Sequence, residues 1–466
     1  MLSSVRFDSL IIRSFALLAV AAITSCTRYT PQPIVDDAPP LASSMQGGIA
    51  MAANQPGLQH SYSVNLEDGL NLTEIGILAV LNNPRLQAQR ASASVGQAQV
   101  FASGLVPDPR FSGSVDRPDN DAPDLVDGWL SMLEYDFGNL ITRNARIEAA
   151  QASQEKLNLD ILWKEWQVDL KARSLAVRLQ FEQQQLALLH NIKALYKERY
   201  EHSARALERH DTTLSVSGTD LSALADVISQ LSQVEQTHNK TRYDLNLLLG
   251  LQGEVKVPLS AMSAPPMLDR TVAESYIQRM PASRPDLLSL KAGYASQESR
   301  VRAAVLAQYP AVTVGFNRAR DTSNIHSSGV SVSLQLPFFS GNRGNIAIER
   351  ATRRQLREEY HARLAEAEKN ARQLLSLQQI LHDKQAQLEK ILPTLQSQVN
   401  NARAAYAHGD INALTFLNLE STWVNKKLES LDLKRSLWEN RIALEALLAM
   451  PEYSATNVID PSEPVK

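Results

Sequence analysis

A single cysteine, Cys26, in 466 residues rules out an intramolecular disulfide framework. A net charge of −3 is too small for nucleic-acid binding through a basic surface, or for a self-repelling disordered chain. The apolar run Phe15–Ile23 is too short to cross a bilayer as a helix. No His-Glu-x-x-His run, Gly-x-Ser-x-Gly elbow or phosphate-binding glycine loop occurs, and the eight methionines are scattered. The chain therefore reads as a non-enzyme with no cofactor or metal requirement. Helix breakers are missing where their absence matters most. From Asn139 to Ser217 there is neither glycine nor proline, and an unbroken helix of that length would approach ~100 Å. From Asn345 to His408 there is no glycine and one proline, Pro393. Rods of that length cannot bury themselves alone.

What is present begins with an export pattern over 1–25. Arg6 and Arg13 supply a positive start, Phe15–Ile23 an apolar centre, and small residues lead to Cys26. Ile23-Thr24-Ser25-Cys26 resembles a bacterial lipobox, which makes Cys26 the expected lipidation site; the alternative is a free buried thiol. Thr27, not being aspartate, permits sorting to the outer membrane. An extended polar arm, 26–66, follows, with Pro31, Pro33, Pro39 and Pro40.

The rest divides into two similar halves, 67–250 and 271–450, joined by a linker, 251–270, and ending in a tail, 451–466. Each half reads as helix, hairpin, rod and returning helix. In the first, a helix from about Glu67 to Ser103 carries a kink or break at Pro84, and strands are expected at about 110–116 and 128–136. The long helix covers about 139–209, with a narrow seam of Leu175, Leu179, Leu186 and Leu189 suited to coiled-coil contact. In the second, strands are expected at about 311–318 and 329–336, and the long helix at about 343–408. Pro84 and Pro109 match Pro285 and Pro310 at an offset of 201 residues, and Phe137, Asn144 and Ile147 match Phe338, Asn345 and Ile348 at the same offset. At the tips Asp220-Leu221 aligns instead with Asp410-Ile411 at an offset of 190. That alignment implies about ten extra residues in the first tip, with Asp220 and Asp410 as helix N-caps.

The strands indicate the environment. Val330, Val332, Leu334 and Leu336 alternate with Ser331, Ser333 and Gln335, and their counterparts are Trp129, Ser131, Leu133 and Tyr135, with Glu134 matching Gln335. One apolar face with aromatics and one polar face is the pattern of lipid-facing barrel strands, which places Glu134 and Gln335 in the lumen; the alternative is a half-exposed hairpin on a soluble core, with both residues solvated at a sheet edge. Four strands leave open edges that lipid does not tolerate, whereas three chains would close a twelve-stranded barrel wide enough for water. A mean hydropathy of −0.23 suits helices that meet water both inside and outside a ring.

With the duplication, Asn83-Pro84, Gly104-Leu-Val-Pro-Asp-Pro109, Arg284-Pro-Asp-Leu287, Leu336-Pro-Phe-Phe339, Gly341-Asn-Arg-Gly344 and the Gly409-Asp410 tip, the chain resembles the TolC-like outer-membrane efflux factors, lipoprotein exit ducts of tripartite systems. Val106-Pro-Asp-Pro109 and Asn342-Arg-Gly-Asn-Ile-Ala347 look most similar to the heavy-metal cation branch. The resemblance implies a mainly α fold with a small transmembrane β part: a trimeric twelve-stranded barrel on a coiled-coil α-barrel. It implies a lipid-anchored outer-membrane location extending into the periplasm, and a passive conduit. The implied partners are two further copies, a periplasmic adaptor, an inner-membrane RND-type pump and outer-membrane lipid, without nucleic acid. Leucine and aspartate rings gate that family's tunnel. Here Leu414 takes the leucine position but Asn418 stands where aspartate is usual, leaving Asp410, Asp220 and Asp226 to supply charge. His202, His210 and His408 lie at or near the tips and read as solvated. A lipid-anchored coiled-coil scaffold without a channel, or a peptide-secretion component, are the alternative readings.

Overall fold

The computed structural model describes residues 29–34, 41–53, 68–119 and 125–450. Cys26 and the tail 451–466 lie outside the described residues. The chain divides into two units, Met1–Pro40 and Leu41–Lys466. In the first unit the described stretch 29–34 forms neither helix nor strand.

The second unit opens with α1 (Met45–Ala53). The expected helix over 67–103 is two helices, α2 (Leu72–Asn82) and α3 (Pro84–Gly104). Asn71 and Glu74 form a reciprocal capping box that starts α2. Asn83 then ends α2 and starts α3, its side chain accepting from the backbone N–H of Arg85 and Leu86. Pro84, at the first helical position, gives up no hydrogen bond there. Strands β1 (Arg110–Asp116) and β2 (Gly128–Asp136) lead into α4 (Gly138–Glu208), a rod of 71 residues. The returning helix α5 covers Leu214–Leu248. After the linker come α6 (Arg270–Ser283), α7 (Pro285–Leu306), β3 (Ala311–Arg320), β4 (His326–Gln335), α8 (Arg343–His408) and α9 (Ala413–Leu447). Pro393 lies inside α8 without ending it, although an interior proline costs about 3 kcal/mol.

The tips differ from the expectation. Both returning helices are 35 residues long, so the first tip carries no ten-residue insertion. α5 begins at Leu214, with Thr213 in the N-cap position, which puts Asp220 inside the helix rather than at its cap. The cap of α9 is Asn412, whose side chain accepts from Thr415 N at 2.8 Å, not Asp410. The two Asp-x-x-Ala-Leu phrases thus occupy different structural positions, one helical and one in a turn. The burial pattern supports an offset of 199: Leu189 and Leu388, Leu245 and Leu444, and Leu249 and Leu448 are all buried.

No single core holds the unit together. One apolar cluster joins Leu70, Ile75, Leu78, Leu175, Leu179, Leu245 and Leu249. Its counterpart joins Ile277, Met280, Leu287, Ala367, Ala371, Leu444 and Leu448. A third, near the tips, joins Leu189, Ile192, Tyr196, Val227, Leu231, Leu417 and Val424. At about 1.5–3 kcal/mol per buried aliphatic side chain, such clusters act like rivets along the rods. α4 packs against α3 and α7 toward the sheet and against α5 and α9 toward the tips; α8 packs against α7 and α9. Two isolated parallel bridges, Ala42 with Leu251 and Leu70 with Leu259, tie the linker to the first half.

Candidate functional site

The sheet is antiparallel in the order β1-β2-β3-β4, leaving β1 and β4 as its edges. Its register sorts the side chains by face. Phe111 pairs with Leu133, Leu133 with Phe316, and Phe316 with Val330. The neighbouring row runs Tyr135, Val314 and Val332, and Val312 pairs with Leu334. Trp129, opposite Val115, shares that face. This face is open: Leu133 is 52% exposed, Phe316 56%, Val330 72% and Val332 62%. The other face carries Glu134 opposite Gly315, Gly315 opposite Ser331, and Gln335 opposite Ala311. Period-two alternation puts Trp129, Leu133, Tyr135, Val330, Val332 and Leu334 on the apolar face and Glu134 and Gln335 on the polar one. Leu336 falls outside the strand, which ends at Gln335. Pro337 has no N–H to continue the ladder, and Leu336 O instead accepts from Phe338 N at 3.0 Å, turning the chain. A ten-residue strand is ~33 Å long, or ~23 Å high at a 45° tilt, close to the apolar band of a barrel.

At the far end of the rods the polar residues do two different things. Asp226, Leu414 and Asn418 line one groove of about 290 Å³ between α5 and α9. Asp410 is exposed in the turn after Gly409. Asp220 is withdrawn from the groove: only 1% of its side chain is exposed, and Arg199 Nε lies 2.9 Å from its Oδ1. Neither oxygen of Asp220 makes an aligned hydrogen bond, so the pair is held by charge. Arg199 Nη1 also meets Glu420 Oε2 at 2.9 Å, and Arg403 Nη2 meets Glu420 Oε1 at 3.2 Å. One cluster of two arginines and two carboxylates therefore joins α4, α5, α8 and α9. Aromatic rings close around it. Arg199 lies 4.6 Å from the Tyr196 ring and 5.5 Å from Phe416, which stacks on Tyr406. Burial, reinforced by Glu420, pushes the Tyr196 phenol up to about 12. Burial and then Asp220 raise Tyr406.

Arg199, Arg403, Glu420 and the three rings were not among the residues singled out by sequence. Glu420 sits beside Leu417 and Val424 in an otherwise apolar seam, which is the one trace of its burial. His202, His210 and His408 are exposed, and among the described residues no three metal-ligating side chains group together. No described helix is long and apolar enough to cross a membrane.

A family profile for outer membrane efflux proteins matches residues 276–450. The cation efflux system protein CusC of Escherichia coli strain K12 is 24% identical over 238 residues, 49% of this chain and 51% of that relative. A match to CusC from Escherichia coli O6:H1 is 25% identical and covers 50% of that protein; the chain spans about half the length of the curated relatives it matches. Among solved structures, a CusC structure superposes with a TM-score of 0.69 at 17% identity, covering 86% of this chain and 97% of that one. The Campylobacter jejuni CmeC outer membrane channel gives 0.69 at 14%, covering 91% and 94%. VceC of Vibrio cholerae gives 0.66 at 16%, covering 81% and 95%. The second half is thus similar in sequence to outer membrane efflux proteins, and most of the chain shares the fold of solved outer-membrane channels.

Proposed function

We propose that the chain is the outer-membrane exit channel of a tripartite efflux system. It works as a passive trimeric conduit between an inner-membrane RND-type pump with its periplasmic adaptor and the exterior. The observation that carries this reading is the sheet: four strands, two open edges, and one face of exposed Phe, Leu and Val side chains. In water such a face and such edges invite aggregation. In lipid the face is matched, and edge pairing between β4 of one copy and β1 of the next removes the edges. Three copies give twelve strands, a number that leaves an aqueous bore lined by the Glu134–Ser331 face. The same copy-to-copy order extends down the rods. α3 and α5 border α4 on one side, and α8 is the outer helix on the other, so each copy can close against the next along its length.

In this reading the tips form the gate, with Leu414, Asn418 and Asp226 at the groove and Asp410 at the turn. Asp220 acts indirectly, by helping to clamp the four helices together. Cys26 carries the lipid anchor, and the arm 26–66 leads from it. The relatives named as cation efflux proteins support metal cations as the cargo. Purified protein in a planar bilayer should give gated conductance that rises when the tip clamp is broken. A silent bilayer with tip variants present as intact trimers would reject the conduit. A deletion strain challenged with metal salts beside antibiotics separates the cargo classes, and unchanged metal tolerance would reject cations.

A further inference from the structure

The apolar face of the sheet changes character toward the hairpin loops. All four strands meet helices at one end: β1 follows α3, β2 leads into α4, β3 follows α7 and β4 leads toward α8. The loops lie at the other end. On β3 the residues of the apolar face run Val312, Val314 and Phe316, then Arg318 and Arg320. Arg318 pairs with Ser131 on one side and Ser328 on the other, and Arg320 with Trp129 and His326. Side chains directly opposite on one face have Cβ atoms about 4.5–5.5 Å apart, so Arg318 and Ser328 reach the same ligand group. The two arginines are not neutralised by the chain. Arg318 is exposed, and among the described residues neither arginine has a carboxylate partner. Arg320 donates from Nε and Nη2 to Asp127 O at 3.2 and 2.7 Å, which fixes its plane and leaves Nη1 for another acceptor. The nearby carboxylates are engaged elsewhere. Asp127 Oδ1 lies 3.5 Å from Arg117, and Asp321 Oδ1 accepts from the backbone N–H of Ser323 and Ile325. The polar face shows the contrast, because Arg110 there sits opposite Glu134.

Arginine on a lipid-facing surface is costly at the bilayer centre and tolerated near the headgroups. Trp129, opposite Arg320, is the kind of side chain that sits at that interface. We propose that the loop end of β3 is a docking site for a membrane lipid whose headgroup is a phosphomonoester. The proposal rests on the barrel reading given above. Such a headgroup carries about −1.5 to −2 charges at neutral pH, which two arginines match, and the guanidinium fork suits phosphate oxygens. Arg318 supplies the main cation, Ser328 donates its hydroxyl and Arg320 adds Nη1. The acyl chains lie along Phe316, Val330 and Val314, the exposed side chains next on the same face. β3 is an interior strand, so closing the barrel through β1 and β4 leaves this site open to lipid.

The test uses the full-length protein, assembled in phosphatidylcholine vesicles, with Trp129 fluorescence quenched by brominated acyl chains. The other tryptophans, Trp163, Trp166, Trp423 and Trp438, lie on the rods. Brominated phosphatidylcholine reports whether the face meets lipid at all. Brominated phosphatidic acid, substituted into the same vesicles, reports the headgroup preference. Phosphatidic acid should bind about fivefold more tightly than phosphatidylcholine, the worth of about one arginine at an anionic headgroup. Arg318→Gln should bring the two lipids to parity, and Arg318→Lys should keep most of the preference. Arg320→Gln should lower the preference in part, and it carries the test should Arg318→Gln not assemble. Equal binding of the two lipids to the parent would overturn the docking site and leave the barrel standing. So would a preference unmoved by the glutamine variant that assembles, or quenching that persists in Trp129→Phe. No quenching by brominated phosphatidylcholine would instead reject the lipid-facing sheet, and the docking site with it.

Discussion

Arg199 on α4 and Asp220 on α5 are 2.9 Å apart, with the aspartate 1% and the arginine 14% exposed. Buried charges are expensive to leave alone, so the consequence of breaking this pair is asymmetric. Arg199→Ala strands the Asp220 carboxylate in the packed tip, while Glu420 keeps Arg403 at 3.2 Å. The expected cost is about 3–5 kcal/mol, felt locally because the tips are tied by few other charges. Asp220→Asn should cost less, since Arg199 retains Glu420. Amide exchange in α5 and α9 is the measurement: protection near residues 214–227 and 413–424 should fall in Arg199→Ala and much less in Asp220→Asn. Equal protection in both variants and the parent would mean the pair does not hold the tip.

The sheet makes a second prediction through its two faces. Leu334 lies on the apolar face opposite Val312, while Ser333 lies on the polar face opposite Thr313. Arginine at 334 should cost about 2–4 kcal/mol near the bilayer centre. Arginine at 333 should be tolerated. Heat-modifiable trimer in the membrane fraction should drop for Leu334→Arg alone. Equal loss from both substitutions would mean that the faces do not divide lipid from water.

These two sites differ in how readable they were. Strand alternation has a period of two, so Val330, Val332 and Leu334 declared their face in the sequence, and the register matches it. The rods were legible because nothing interrupts them, and Pro84 marked a true helix boundary. The tip was misread because Asp220-Leu-Ser-Ala-Leu and Asp410-Ile-Asn-Ala-Leu look alike although one is helical and the other begins in a turn. Short polar phrases recur cheaply, whereas the buried leucines at 245 and 444 record the packing that fixes the register. The clamp was invisible for another reason. Arg199, Asp220, Arg403 and Glu420 come from four helices, and no sequence spacing on one helix reveals partners on three others. Leu336 was assigned one residue too far because its alternation continues into the Pro337 turn.

A third prediction concerns pH. Glu182 on α4 is raised above its ordinary value by burial, against the lowering effects of its Thr241 hydrogen bond and of Arg178 and Arg435, with Glu439 adding to the rise. His238 on α5, whose Nδ1 lies 3.9 Å from Glu182, is lowered by burial and by Arg242. The two act in opposite senses. Between the unfolded carboxylate value near 4.5 and the raised folded value, the native state holds more protons at Glu182, so its term favours folding as pH falls. The native state holds fewer at His238, so below about pH 6.5 its term opposes folding. Glu182→Gln keeps an acceptor for Thr241 and removes the first term. It should raise the denaturation midpoint at pH 8, with the gain shrinking toward pH 4.5. His238→Gln should change little at pH 8 and stabilise relative to the parent near pH 5. A Glu182→Gln gain that is constant across pH would show that the carboxylate is not desolvated.

The last prediction comes from the corrected register. Gly250 and Ala449 occupy equivalent positions after the two returning helices, and both are left-handed, with φ of +69° and +52°. An L-residue pays about 1–2 kcal/mol for that conformation, and glycine pays almost none. At 250 a methyl group would also come within 3.0 Å of the Asn82 side chain and backbone, and Asn82 Nδ2 is already spent on Gly48 O at 2.8 Å and Leu249 O at 3.2 Å. Gly250→Ala should therefore destabilise by more than the conformational cost alone. Ala449→Gly should do the reverse and stabilise by about 0.5–1 kcal/mol, the left-handed strain relieved less the extra entropy of glycine in the unfolded chain. Denaturant midpoints of the two single variants measure both effects. A destabilising Ala449→Gly would mean that the turn at 449 does not repeat the one at 250, and the 199-residue register would fail at its end.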